Sequence, residues 1–107
     1  MAQDDETKCC CTTYDTSVCL VTVLKNIDTR LHETYEQALK ASQRYSDQDV
    51  VNLKDAERKW ITYKEAACKA EYELWGRVSG GPNAHAMCII RLTKLRIIDL
   101  KSTYLEH

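Results

Sequence analysis

Leu20-Val-Thr-Val-Leu24-Lys-Asn-Ile27-Asp-Thr-Arg-Leu31-His-Glu-Thr-Tyr35 decides the fold class. Leu20, Leu24, Ile27, Leu31 and Tyr35 recur at intervals of three and four, which sets them on one stripe of an α-helix. The stripe continues through Ala38 to Tyr45, while Lys25, Arg30, Glu33, Lys40 and Arg44 occupy the other face. About 30 helical residues at 1.5 Å each extend roughly 45 Å, which is long for a chain of 107 residues. On the N-terminal side, Thr13 or Asp15 is placed to cap this helix, because a side-chain oxygen there can accept an unpaired backbone N–H. Residues 1 to 12 are polar and then cysteine-rich, without periodicity, and read as a tail.

On the C-terminal side, Ser46-Asp47-Gln48-Asp49 interrupts the stripe and offers a new cap at Ser46 or Asp47. A second stripe then runs Val50, Leu53, Ala56, Trp60, Tyr63, Ala67, Ala70 and Leu74. Gly76 and Ser79-Gly80-Gly81-Pro82-Asn83 end it, since glycine tolerates left-handed backbone angles and proline cannot continue a helix. A third stripe follows from near Asn83: Ala84, Cys88, Ile89, Leu92, Leu95 and Ile98, with Leu100 on its outer flank. The expected fold is all-α: a three-helix bundle with a long first helix and antiparallel second and third helices, stapled by disulfides. Residues 13–104 form its single domain, and Leu105-Glu106-His107 reads as the start of a purification tag.

Charged residues make up 29% of the chain, yet the formal net charge is only -1. That balance speaks against a nucleic-acid binder, which needs a concentrated basic surface. No stretch approaches the roughly 18 apolar residues needed to span a bilayer. The opening Met1-Ala-Gln-Asp-Asp-Glu-Thr-Lys8 is no signal peptide. The expectation is a chain for an oxidising compartment outside the cytoplasm, from which a signal has been removed.

Six cysteines point the same way. Cys19, Cys68 and Cys88 form no C-x-x-C pair, which disfavours a finger-type zinc site. Antiparallel second and third helices would bring Cys68 and Cys88 level, where a bridge would constrain the unfolded chain. Cys19 is expected to fold the tail back through one of Cys9, Cys10 and Cys11. The spacing does not choose among them, and Cys11 serves as the working partner. The remaining cysteines leave open a soft-metal or thiol-redox role for the Cys9–Cys11 cluster, the least favoured reading.

Catalytic chemistry finds little footing. His32, His85 and His107 are far apart in sequence, and neither H-E-x-x-H, G-x-S-x-G nor a phosphate-binding glycine loop occurs. Glu33 with Glu36, and Glu71 with Glu73, read as solvated helix faces, and no cofactor is expected. Trp60 and Tyr63 read as packing residues. The connection around Ser79-Gly80-Gly81, flanked by Glu71 and Glu73, reads as a recognition edge that a Cys68–Cys88 bridge would pre-order.

Several segments at fixed spacing carry a family resemblance. Trp60-Ile-Thr-Tyr63-Lys64-Glu-Ala-Ala-Cys68, Ser79-Gly80-Gly81, and Cys88-Ile-Ile-Arg-Leu92-Thr93-Lys-Leu-Arg96-Ile-Ile-Asp-Leu100 resemble W-x-x-Y-[RK]-x-x-x-C, a Gly-Gly loop, and C-x-x-x-L-T-x-x-R-x-x-x-L. Thr12 with Cys19, and Asp28-Thr-Arg-Leu31-His32-Glu-Thr-Tyr35, resemble an opening T…C element and D-x-x-L-N-x-x-Y. These are motifs of the LprI-like lysozyme-inhibitor domain family of bacterial envelope and secreted proteins. His32 stands where Asn is usual. Lys64 stands where Arg is usual, keeping the charge without the bidentate fork. The resemblance implies a Cys68–Cys88 bridge and a structural centre of Trp60, Tyr63, Leu92, Thr93 and Arg96. It further implies a non-enzymatic binding protein whose partner is lysozyme or another envelope component. Lysozymes are generally basic, so Glu71 and Glu73 become the first candidates for contact.

Overall fold

The computed structural model describes residue 9, residues 12–76 and residues 81–106. Three helices, α1 (Thr13–Gln43), α2 (Asp47–Trp75) and α3 (Gly81–Leu100), run in succession, and a π-helical turn (Lys101–Leu105) extends the last. The described residues contain no strand, so the three-helix reading stands. The molecule measures 49 × 32 × 18 Å. Its thinnest dimension is less than two side-chain-coated helix diameters of about 10–12 Å, so many large side chains remain on the surface.

The helix boundaries follow from side-chain capping. Thr12, in extended conformation, caps α1: its Oγ1 accepts the Asp15 N–H at 3.0 Å. The cap is thus Thr12, not Thr13 or Asp15, because a capping side chain must precede the first helical turn to reach its orphan N–H groups. Helix α1 ends by directing the Tyr45 and Ser46 N–H groups back to the Ser42 carbonyl, at 3.0 and 3.2 Å. Tyr45 leaves the apolar stripe there and is 82% exposed. Ser46 caps α2, as the sequence suggested: its Oγ accepts the Asp49 N–H at 3.0 Å and donates to Asp49 Oδ2 at 2.9 Å.

Helix α2 stops at Gly76, but with right-handed angles (φ -65°) rather than left-handed ones. Glycine suits this position through close approach, since a Cβ would stand 2.5 Å from the Tyr72 carbonyl oxygen. Helix α3 begins two residues before Asn83, at Gly81, and takes Pro82 into its first turn. A missing N–H costs nothing there. Asn83 Oδ1 then accepts a hydrogen bond from Ser17 Oγ at 2.8 Å, tying the starts of α3 and α1 together.

The core belongs mainly to α1 and α3. Leu20, Val23, Ile27, Leu31 and Ala38 meet Ile90, Ile97 and Leu100, with Leu53 the one α2 member of this buried cluster. The first stripe is therefore placed correctly apart from Tyr45. The second and third stripes need correction. Tyr63, Leu74, Leu95 and Ile98 are 57–62% exposed, whereas Leu100 is fully buried. The face α2 turns inward runs instead through Leu53, Glu57, Trp60, Lys64, Cys68 and Glu71, none of them exposed. Those intervals of four, three, four, four and three are as helical as the apolar set, but half of the residues are charged.

Two disulfides staple the fold, one of them across the thin α2 interface. Cys68 and Cys88, both fully buried, are bridged with their Cα atoms 5.5 Å apart. Cys19 pairs with Cys9, not Cys11, also across 5.5 Å. Cys9 is packed against the core cluster, within the Cα range that a bridge requires. Cys10 and Cys11 lie outside the described residues. The bridge consumes the Cys9 thiol, so a three-thiolate cluster at Cys9–Cys11 does not form.

Candidate functional site

The opposed faces of α1 and α2 do not close completely, and an open groove of about 270 Å³ runs between them. Helix α1 contributes Asp28, Leu31, His32 and Tyr35, one helical turn apart in pairs. Helix α2 contributes Glu57, Trp60, Ile61 and Lys64 at the same spacing. The groove thereby collects residues from two motifs separated by about 30 positions in the chain.

Arg96 of α3 braces the floor from behind. Its Nε donates to Glu57 Oε1 at 2.9 Å, and Nη2 lies 2.9 Å from the same oxygen. Both side chains are nearly buried, 12% and 10% exposed, so this ion pair is far less screened than the surface pairs of Asp55 with Lys59 and Arg58. Arg96 Nη1 also reaches Asp99 Oδ2 at 3.2 Å.

Trp60 has two cations close to its ring. Lys64 Nζ stands 4.9 Å from the ring centroid and the Arg96 guanidinium 5.9 Å from it, both within cation–π range. Tyr35 faces the same space. Burial, aided by the Glu57 and Glu36 carboxylates, raises its phenol above the ordinary value of 10.0, against the opposing pull of Arg58 and Arg96. At neutral pH the phenol is thus a neutral hydrogen-bond donor. Leu31, Tyr35, Trp60 and Ile61 make an apolar floor, and Asp28, His32 and Lys64 form a polar rim. An apolar centre ringed by polar groups is the anatomy of a protein-binding surface.

The residues implied by the family resemblance divide. Trp60 and Arg96 meet at the groove, and Leu92 is half-buried on α3. Thr93 is buried, and its hydroxyl donates to the Ile89 carbonyl at 2.6 Å, a local helical bond. Tyr63 lies outside this centre, 60% exposed.

Of the edge read near the Gly-Gly loop, the structure describes Glu71, Glu73 and the backbone of Gly81. Glu71 is engaged by Arg91, whose Nη1 donates to Oε1 at 3.4 Å and whose Nη2 binds Oε2. That hydrogen bonding, helped by the Glu71 charge, raises the Arg91 guanidinium above its ordinary value despite partial burial. Glu71 Oε2 also lies 3.2 Å from Cys88 Sγ, a contact only, because a disulfide sulfur carries no proton. Glu73 sits 4.0 Å from Lys69. Ser79 and Gly80 lie outside the described residues, and Gly81 opens α3.

Sequence reasoning passed over Glu57 and Ile61, and drew no site role from His32. Glu57 was detectable: it lies four residues after Leu53 and three before Trp60, on the stripe that Trp60 anchors. Among the described residues no helix is long and apolar enough to cross a membrane.

Comparison with known proteins agrees with the motif reading. A family model described as "Lysozyme inhibitor LprI" matches residues 6–100. No curated protein and no solved structure matches the chain. With nearly its whole length covered, the chain belongs to the LprI lysozyme-inhibitor family.

Proposed function

We propose that this LprI-family chain is a non-enzymatic envelope or secreted binding protein that inhibits lysozyme, with the groove between α1 and α2 as its docking face. The observation that carries this reading is the convergence of two motif segments on one open surface. Asp28 and His32 belong to the first segment and are both exposed, so core packing does not explain their place in it. Trp60 and Lys64 of the second segment face them across the groove.

The chemistry suits a basic protein partner. Asp28 gives the rim an exposed carboxylate. Trp60, flanked by Ile61 and Tyr35, offers the large aromatic surface that commonly anchors an interface. A net charge of -1 provides little long-range steering, so affinity would come chiefly from contact within the groove. Inhibition then needs no chemical step, only obstruction of the enzyme's cleft. Two disulfides support a location in an oxidising compartment, the periplasm or the exterior. Glu71 and Glu73 are the weaker candidates for contact, because each already has a basic neighbour.

A cell-wall lysis assay tests the reading. The intact protein should slow lysis by a basic lysozyme at near-stoichiometric ratio, and Asp28→Lys with Lys64→Glu should abolish the effect without loss of helicity. Unchanged lysis by several lysozymes in the presence of micromolar excess would overturn it.

A further inference from the structure

A second cavity lies at the opposite end of α1 from the disulfide-linked tail, where the α1–α2 corner meets the C-terminal π turn. Its volume is about 440 Å³, within the range of small-ligand pockets. Ser42, Tyr45, Asp49, Asn52, Thr103 and Tyr104 line it, all outside the α1–α2 groove.

Ser42 sets this cavity apart. The residue is only 3% exposed, yet its hydroxyl has no hydrogen-bond partner in the protein. Helical serines commonly return this bond to the carbonyl four residues back. Thr29, Thr34, Thr62 and Thr93 all do so with their own hydroxyls here. A buried polar group left unpaired is costly and uncommon in a folded protein.

The other lining groups define what would satisfy it. Asn52 Oδ1 accepts from Gln48 Nε2 at 2.9 Å, leaving the Asn52 amide N–H groups to donate. Asp49 Oδ2 accepts from Ser46 Oγ, leaving Oδ1 to accept. Tyr45 and Tyr104 add aromatic surface, the first exposed and the second half-buried. Among the described residues, Asp49 is the one charged side chain of the lining, which disfavours phosphate or carboxylate ligands. A wholly apolar ligand would strand Asp49 and Asn52 without water. Closely spaced donors and acceptors beside aromatic rings match a neutral polyhydroxyl ring, whose C–H face packs on an aromatic side chain while its hydroxyls bond at the edge.

We propose that this cavity binds a neutral saccharide of one or two rings, with Tyr45 as the stacking surface, Asp49 and Asn52 as its first hydrogen-bonding partners, and the Ser42 hydroxyl, enclosed in the unliganded chain, as a further partner reached by rotation of its side chain. The site is independent of the docking groove.

The direct test is a ¹⁵N–¹H NMR titration of the full chain with di-N-acetylchitobiose and, separately, cellobiose, up to about 10 mM, a range that captures millimolar binding. At least one should shift the amides of Ser42, Tyr45, Asn52 and Thr103 selectively. Tyr45→Ala should weaken that binding about tenfold, as loss of an aromatic contact does. Ser42→Ala should weaken it about fivefold while leaving the melting temperature unlowered, because the variant loses an unpaired hydroxyl. Sedimentation with purified cell-wall sacculi identifies the source: co-sedimentation competed by the disaccharide assigns a glycan strand, and disaccharide binding without it assigns a free sugar. No shift with either disaccharide, undiminished binding by both variants, or the same shifts with tetramethylammonium alone would overturn the proposal.

Discussion

Replacing Glu57 probes the bond on which α2 most depends. The α2 face contributes Leu53 and Cys68 as its fully buried apolar side chains, so the Glu57–Arg96 pair carries a disproportionate share of its docking to α3. Glu57→Ala would leave a guanidinium that is 12% exposed with Asp99, itself 64% exposed, as its remaining carboxylate neighbour. Breaking one side of a buried pair costs about 3–5 kcal/mol. The residual Asp99 contact places Glu57→Ala near the lower end, at about 3 kcal/mol. Arg96→Met should cost a similar amount by stranding the carboxylate. The double replacement Glu57→Met with Arg96→Met should come within about 1 kcal/mol of the parent, because two apolar chains can pack against Trp60. Urea unfolding followed by circular dichroism at 222 nm and tryptophan fluorescence measures all three. With a slope of about 1.5 kcal/mol/M, each single variant should lose about 2 M in midpoint. Single losses below about 1 kcal/mol that simply add in the double variant would refute the buried-pair argument.

Other perturbations test the remaining supports. Replacing Cys68 and Cys88 together by Ala should cost about 3 kcal/mol from chain entropy alone, given a sequence separation of 20; an equal denaturation midpoint before and after replacement would contradict this. Non-reducing peptide mapping should recover Cys9 with Cys19 and Cys68 with Cys88. Ser46→Ala removes both cap hydrogen bonds at the start of α2 and should cost about 1 kcal/mol in thermal unfolding, whereas Ser46→Asp should retain most of it. The Tyr35 phenol should ionise above the ordinary value of 10.0 in an ultraviolet titration read by difference against Tyr35→Phe. Because its folded-state pKa lies above the unfolded value, its stabilising contribution is complete below about pH 10 and is lost as pH rises through the folded pKa. Tyr35→Phe should remove that part of the alkaline destabilisation.

The helices were legible because their boundaries are local chemistry. Ser46 and Asp49 set the α1–α2 corner within four residues, and the buried α1 stripe from Leu20 to Ala38 is apolar but for Thr34, whose hydroxyl bonds the Arg30 carbonyl. The faces of α2 and α3 were harder to read. On α2 two helical stripes compete, and an apolar count favours the one containing Ala56, Tyr63 and Leu74, whereas the inward one contains Glu57, Lys64 and Glu71. Those charges can turn inward because Arg96, Trp60 and Arg91 await them on other turns and helices, partners that no periodicity rule supplies. On α3 the stripe is displaced by Ile90, Ile97 and Leu100, since that helix must face α1 and α2 together. The pairing of Cys19 was open for a related reason: adjacent cysteines differ by single residues in reach, and the choice of Cys9 goes with its packing against the core beside Cys19.

The groove was partly legible as two motif segments, but their meeting across α1 and α2 is a tertiary fact. Hydrogen–deuterium exchange of the intact, disulfide-bonded protein, with and without a saturating basic lysozyme, tests its role most directly. The expected result is slowed exchange in segments 28–35 and 57–64, absent for the Asp28→Lys, Lys64→Glu variant. Protection confined to segments 71–76 and 81–91, or no protection anywhere at saturating enzyme, would contradict the assignment of the groove as the lysozyme-docking face.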